Sequence, residues 1–391
     1  MIDIMQRSCE LIITYTDSLG EFQGFLAIDA LSHKVAAGGM RVQKGLTADR
    51  LAKMARNMTL KQRIGGMCVD GAKCGIDYDP NSPGKHGAMK RFMIAIRPYM
   101  HERYSMGPDL NTKLPEIDAI LNEIGIPSAK MAVALAQGMT LEHFLVRYNT
   151  FQEKVDGFTL GQRRSGHGVA MACLGALEIL GIPPKDATVT IQGFGGLGSG
   201  AAFSLYKAGV KIIAIADDQN CLICQNGLNI ERLMAQSDGT HLPKTEALDY
   251  KYNQPAAIFD IPCDAMIPAA VENVIDCPRA QRMPAKAVVE GANLPASPEA
   301  EGILKQRGIL VVPDFVAGSA GSLSVDGLFG PPQPVDARYV LDHIEWRMRS
   351  IVKEVVSRSE KDHTTTRQAA LDICSEVKPN PEAKPYGHFL R

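Results

Sequence analysis

The run Ile191-Gln192-Gly193-Phe194-Gly195-Gly196-Leu197-Gly198 constrains this chain more than any other feature, because it sets a G-x-G-x-x-G pattern between a strand-like and a helix-like segment. Gly193 permits a tight turn, Gly195 lets backbone approach a pyrophosphate, and Gly198 lets the helix pack closely on the strand. Phe194, Gly196 and Leu197 complete the loop, and the helix N-terminus faces the phosphates. The next apolar run ends at Asp217, about twenty residues on, where a carboxylate can accept hydrogen bonds from ribose hydroxyls. Asp217 and Asp218 repel a 2'-phosphate, which favours NAD and leaves NADP as the alternative cofactor.

Short apolar runs at 187–192, 210–216, 263–267, 287–289 and 309–312 alternate with helical text, as in a parallel sheet covered on both faces. This predicts a doubly wound, Rossmann-type α/β domain. One intervening helix has Ser297 as N-cap, Pro298 in its first turn and Gly308 past its end. Another is expected over 166–180, with Ser165 as N-cap and Gly181 as its stop. Upstream, runs at 11–16 and 22–28 flank Asp17-Ser18-Leu19-Gly20 and predict a hairpin. A helix follows from Thr47, with Leu51, Met54, Ala55 and Met58 on one face, and helical text continues to about Arg147.

At 391 residues the chain exceeds what one hydrophobic core organises. Two domains with a cleft between them are expected. Residues 1–150 would form an α/β substrate-binding and oligomerisation domain, joined by a long amphipathic helix over about 335–358 and the rest of the tail to 391. Residues 151–334 would form the dinucleotide domain. A formal net charge of -1 gives no field for nucleic acid or an anionic membrane, so a small molecule is the expected partner, with a homo-oligomer. No run of ~20 apolar residues would span a bilayer, and the start carries no apolar signal core, so a cytoplasmic location is expected. Nine scattered cysteines read as reduced thiols. Cys221 and Cys224 have C-x-x-C spacing but no second ligand pair, so no metal is expected.

Two lysines and an aspartate stand out. Lys61 extends the buried stripe of the Thr47 helix, at positions 51, 54 and 58. Lys73 lies in Gly71-Ala72-Lys73-Cys74-Gly75-Ile76, read as a loop whose glycines allow a ligand close approach. An amine in such a place, near a second cation, can act as a base near neutrality. Asp109 lies in Met106-Gly107-Pro108-Asp109-Leu110-Asn111-Thr112, a turn.

Taken with Gly38-Gly39-Met40-Arg41, Met58-Thr59-Leu60-Lys61, Glu290-Gly291-Ala292-Asn293 and Pro313-Asp314, these segments resemble the glutamate/leucine/phenylalanine/valine dehydrogenase family, in order from about Ala37 to Asp314. The resemblance implies interconversion of an L-2-amino acid with its 2-oxo acid and ammonia. It implies that Lys61 binds the substrate α-carboxylate, Lys73 activates water and Asp109 moves a proton to and from the amino nitrogen. Ser165 stands where the family usually has a threonine near the nicotinamide amide, and Asn293 with the Ala269-Ala270 backbone would hold the nicotinamide end.

Departures bear on the substrate. Glutamate-specific members carry a lysine immediately before the Gly-Gly pair, where this chain has Ala37, and a serine of the late motif is matched by Val325. With Gly107 and Ser322 also at pocket positions, the sequence predicts an apolar or bulky side chain rather than glutamate. Asp70 replaces a glycine three residues before Lys73, and Gly318 an asparagine. If Asp70 pairs with a lysine it weakens that base, so a regulatory, catalytically weakened family member is the second reading.

Overall fold

The computed structural model describes residues 8–237, 239, 241–243 and 250–389. The chain divides into two compact units, one of residues 1–148, 328–334 and 374–391, the other of residues 149–327 and 335–373.

The first unit is built on a five-stranded sheet of β1 (Leu11–Thr16), β2 (Gln23–Ile28), β3 (Ala36–Val42), β4 (Asp70–Ile76) and β5 (Tyr104–Pro108) in the order β1-β2-β4-β3-β5. β3, β4 and β5 run parallel, and β1 and β2 close one side antiparallel as the expected hairpin. One face packs Ala36, Met40, Ala72, Cys74, Tyr104 and Met106 against Phe92 and Ile96 of α2 (Lys85–Glu102) and Ile117 and Ile120 of α3 (Leu114–Glu123). On the opposite face α1 (Ala48–Ile64) lies over β2 and β4 through Leu51 and Ala55. Thr47 caps α1, accepting from Arg50 N at 3.3 Å. α4 (Met131–Gln137) and α5 (Leu141–Asn149) complete the unit.

The expectation of helical text from Thr47 to Arg147 fails at β4 and β5, and the segment around Lys73 is a strand rather than a loop. Its glycines serve packing: a Cβ on Gly71 would lie 2.0 Å from Ala55 O, and one on Gly75 2.4 Å from Arg41 O. The buried stripe of α1 runs through Leu51, Ala55 and Thr59, leaving Met58 and Lys61 half-buried at its side.

The second unit opens with a small ribbon of β6 (Lys154–Val155) and β7 (Phe158–Thr159) and α6 (Leu160–Ile179). α6 starts at a capping box of Thr159 and Gln162, so Ser165 lies one turn inside the helix instead of capping it; Gly181, at φ +68°, does follow its end. The main sheet combines β8 (Thr188–Gln192), β9 (Lys211–Ala216), β10 (Cys221–Ile223), β11 (Lys251–Asn253), β12 (Cys263–Pro268), β13 (Ala285–Val289) and β14 (Leu310–Val312) in the order β11-β10-β9-β8-β12-β13-β14. Its five parallel strands are the five runs read from sequence; β10 and β11 add an antiparallel edge. Cys221 is thus a buried strand residue, and no group of metal-ligating side chains occurs among the described residues. The helices are α7 (Gly196–Lys207), α8 (Ile230–Gln236), α9 (Cys277–Arg282), α10 (Pro298–Gln306), α11 (Asp314–Ala317), α12 (Ala320–Phe329), α13 (Ala337–Asp362) and α14 (Thr366–Glu376).

α13 corrects the expected domain plan. The long helix belongs to the dinucleotide unit, packing on α6, where Gly175 lets Val352 come close. Only the segment after Ile373 returns to the first unit. There Arg63 donates to Cys374 O, Cys68 N to Pro385 O and Gln137 to Tyr386 O.

Candidate active site

In the first unit the alternation of parallel strands sorts side chains by face. Register pairs Ala37 with Ser105, Gly39 with Gly107, and Met40 with Cys74. Since Met40, Cys74, Tyr104 and Met106 point into the core, Ala37, Gly39, Arg41, Lys73, Ser105 and Gly107 share the other face. Asp109 follows β5 there. Its backbone N–H donates to Thr112 Oγ1 at 2.9 Å, and that hydroxyl donates to Met40 O at 2.8 Å, which ties the turn to β3.

This brings the predicted pair together. Lys73 Nζ lies 3.2 Å and Arg41 Nε 2.7 Å from the same Asp109 oxygen, Oδ2. Burial alone would raise the Asp109 carboxyl; the charges of Lys73 and Arg41 and their hydrogen bonds outweigh it and hold the group below the usual carboxylate range. An ionised carboxylate between two cations can accept a proton from a substrate ammonium, and an amine beside it can orient water. Gly107 leaves room: a Cβ there would meet nothing within 4 Å. Gly39 faces Asp109, its would-be Cβ 2.8 Å from Asp109 Cβ. Gly38 points the other way, where a Cβ would lie 1.5 Å from Ala72 O, so its lack of a side chain serves strand packing.

Asp70, which could have paired with a lysine, faces a histidine instead. It is buried against His33, accepting from His33 N at 2.8 Å and facing His33 Nδ1 at 3.0 Å. Thr59, two positions before Lys61, donates to buried Asp29 at 2.6 Å and accepts from Gly71 N at 2.9 Å, which pins the end of α1 to β4.

In the second unit, strand order reverses between β8 and β12, and the glycine loop sits there, as ligand sites in open α/β sheets do. Gly193 has φ +104° and its would-be Cβ lies 3.1 Å from Ala269 O, beside Ala270. Gly198 would place a Cβ 2.0 Å from Gly193 O, while Gly195 and Gly196 face open space. Phe194 is buried, half-buried Leu197 follows Gly196 in the first turn of α7, and Gly195 caps α7 without a side-chain acceptor. Backbone so exposed at a helix start suits a pyrophosphate.

Asp217 is more engaged than the sequence suggests. Oδ1 accepts from Gln219 N at 2.8 Å and Asn220 N at 2.7 Å, and Oδ2 from Leu242 N at 2.8 Å. A carboxylate has about four acceptor positions, so one remains for a ribose hydroxyl.

Ser165 and Asn293 are both exposed, and Ser322 and Val325 are buried on α12. The Glu290–Asn293 segment is held by groups that the sequence reading gave no role. Arg367 on α14 donates to Glu290 at 2.6 Å, Glu301 at 2.6 Å and Asp314 at 2.8 Å, and Asp314 N donates to Glu290 at 2.9 Å. Burial pushes Glu290 well above the usual range, against the charge of Arg367. Arg41 stood in a quoted motif without a role; Arg367, so distant in sequence, left no local signal.

Two family models match the chain: Glutamate/Leucine/Phenylalanine/Valine dehydrogenase over residues 157–377, and the Glu/Leu/Phe/Val dehydrogenase dimerisation domain over residues 6–125. A glutamate dehydrogenase of Thermotoga maritima is 29% identical over 363 residues, covering 89% of this chain and 83% of the relative. An NAD-specific glutamate dehydrogenase of Staphylococcus aureus is 33% identical over 297 residues, 74% of this chain and 67% of the relative. Among solved structures, hetero-hexameric glutamate dehydrogenase from Thermus thermophilus in a leucine-bound form superposes with a TM-score of 0.77 at 25% identity, covering 94% of this chain and 88% of that one.

Proposed function

Because the chain belongs to the Glu/Leu/Phe/Val dehydrogenase family, we propose that it catalyses the oxidative deamination of an L-2-amino acid to its 2-oxo acid and ammonia, and the reverse. The observation that carries this is Lys73 and Arg41 converging on one oxygen of Asp109 on the sheet face that also holds Gly39 and Gly107. Asp109 takes the proton from the substrate ammonium. Lys73 directs water at the oxidised carbon, and Lys61, at the end of α1, binds the α-carboxylate. A bound nicotinamide dinucleotide supplies the hydride acceptor. The loop of Gly193, Phe194, Gly195, Gly196, Leu197 and Gly198 seats its pyrophosphate, Asp217 one ribose hydroxyl, and Ser165, Ala269, Ala270 and Asn293 its nicotinamide end.

NAD is preferred over NADP in this reading. Asp217 and Asp218 support it, as does the NAD-specific relative. A homo-oligomer is supported by the match to a dimerisation domain. The regulatory reading loses one of its two motives, since the acid that could have paired with a lysine faces His33 instead.

Supports for the side chain divide. Ala37, Val325 and open space at Gly107 favour an apolar group and Ser322 a polar one, while the relatives are named for glutamate. The test is absorbance at the nicotinamide band with NAD or NADP and a panel of L-amino acids. Turnover with one of them is expected, and silence across the panel with dinucleotide still bound removes the reading.

A further inference from the structure

We propose that Arg367 is a positioning residue for the bound dinucleotide: through Asp314 it holds Leu294 in a left-handed turn that presents the adjacent Asn293 to the nicotinamide end. The inference rests on the dinucleotide reading and deepens it.

Leu294 has φ +46°, in the region that suits glycine rather than a residue with a side chain. That side chain is 48% exposed, so its own burial does not impose the turn. Backbone of this kind persists only where its surroundings over-determine it. Here both polar groups of Leu294 are held. Its N–H donates to Asp314 Oδ2 at 3.3 Å, and its carbonyl accepts from Asn273 N at 3.0 Å. Asn273 is itself left-handed, at φ +57°. On the other side of Asn293, Ala292 N donates to Pro268 O at 2.8 Å, at the end of β12. Asn293 therefore stands between two anchored neighbours, and any other turn at Leu294 would move it relative to the sheet.

One guanidinium ties this loop together. Arg367 Nη1 donates to Asp314 Oδ1 at 2.8 Å, Nη2 to Glu290 Oε2 at 2.6 Å and Nε to Glu301 Oε1 at 2.6 Å. Glu290 directly follows β13 and Glu301 lies on α10, so the same side chain grips the loop at both ends and, through Asp314, in its middle. Asp314 N donates to the Glu290 oxygen that Arg367 also holds, at 2.9 Å, which closes the network. Three carboxylates met at once require donors fixed in a planar fork; a lysine ammonium would keep the charge and lose that geometry.

Calorimetric titrations of the full chain with NADH and with ADP, which lacks the nicotinamide half, separate positioning from general stability. Arg367→Lys should weaken NADH by about tenfold, as loss of one hydrogen bond does, with ADP binding nearly unchanged. Leu294→Val leaves the buried cluster untouched and sets a β-branched residue where φ is positive, so it reads the turn even where a change at 367 costs the fold. It should lower the NADH-to-ADP affinity ratio in the same direction. Leu294→Gly added to Arg367→Lys should return most of the ratio, because glycine adopts the turn without being held there. Asn293→Ala is the reference: an unchanged ratio there would overturn both the nicotinamide assignment and this one. A lowered ratio in Asn293→Ala beside an unchanged one in Arg367→Lys or Leu294→Val would overturn the positioning role alone. Equal losses of NADH and ADP in Arg367→Lys, or no recovery in the double variant, would do the same.

Discussion

Asp109 carries three opposed influences at one atom, and their balance decides what it can do. Burial favours the neutral acid, yet Lys73 and Arg41 hold the carboxyl below its ordinary range, so it waits as a proton acceptor at neutral pH. The sign follows: its ion pairs contribute stability above the unfolded value of 3.8 and lose it as pH falls through the lower folded value. A carbon-13 titration of Asp109 should show a midpoint below 3.8, and one above 5 would refute the assignment of base. Lys73→Met should cut kcat by ~10²–10⁴-fold with dinucleotide affinity nearly kept, read by single-turnover kinetics and titration calorimetry. Near-normal turnover would end the proposed mechanism. Asp217→Ser should narrow the preference for NAD and also loosen residues 217–220, because three backbone amides lean on that carboxylate. Lys73 and Asp109 were legible because their neighbours form recognisable strings. Arg41 was not, since nothing in its own motif says that its guanidinium reaches Asp109.

At the scale of elements, glycine was the source both of the clearest reading and of the clearest error. In the β8–α7 loop the glycines stand where a ligand and a helix approach, and strand, turn, helix and acid follow in the order read from sequence. In β4 the same residue type looked like loop, although Gly71 exists because α1 presses its backbone there. Gly71→Ala should therefore cost about 2–4 kcal/mol by overpacking and displace Lys73, so denaturant midpoint and kcat should fall together. A stable, fully active variant would contradict that account of β4. His167 offers a second element-level test. It is wedged between Ser204 of α7 and Leu341 O of α13, and burial, aided by Arg163, pushes its imidazole down to about 4. The unfolded chain takes up a proton below about 6.5, so this contribution is complete above that pH and lost as pH falls toward 4, by on the order of 3 kcal/mol at most. Urea melts between pH 7 and 4.5 should show a shallower decline for His167→Gln; an identical slope would mean that His167 is not the group responsible.

For the whole molecule, the consequential difference between sequence and structure is which stretches of chain make up one folding unit. The amphipathic period of α13 was legible, but period alone names no partner. Placing the helix with residues 1–150 assumed that the chain leaves the dinucleotide unit once and for all. It leaves at Gly327, returns at Val335 and leaves again after Ile373. Within its unit α13 buries Val340, Leu341, Ile344, Met348, Ile351, Val352, Val355 and Val356. At roughly 1.5–3 kcal/mol for each such side chain, that helix contributes 10 kcal/mol or more before entropy, as much as a domain's entire net stability. Arg367, beyond it on α14, also pairs with the buried acids Glu290, Glu301 and Asp314. A fragment of residues 149–327 should therefore fail to fold, whereas residues 149–327 joined through a short linker to 335–373 should fold and bind dinucleotide. Circular dichroism melts and calorimetric titration with NAD distinguish the two. A cooperative transition and normal NAD affinity in the shorter fragment would show that α13 and Arg367 are accessories, and the division of the chain drawn from packing would have to be redrawn.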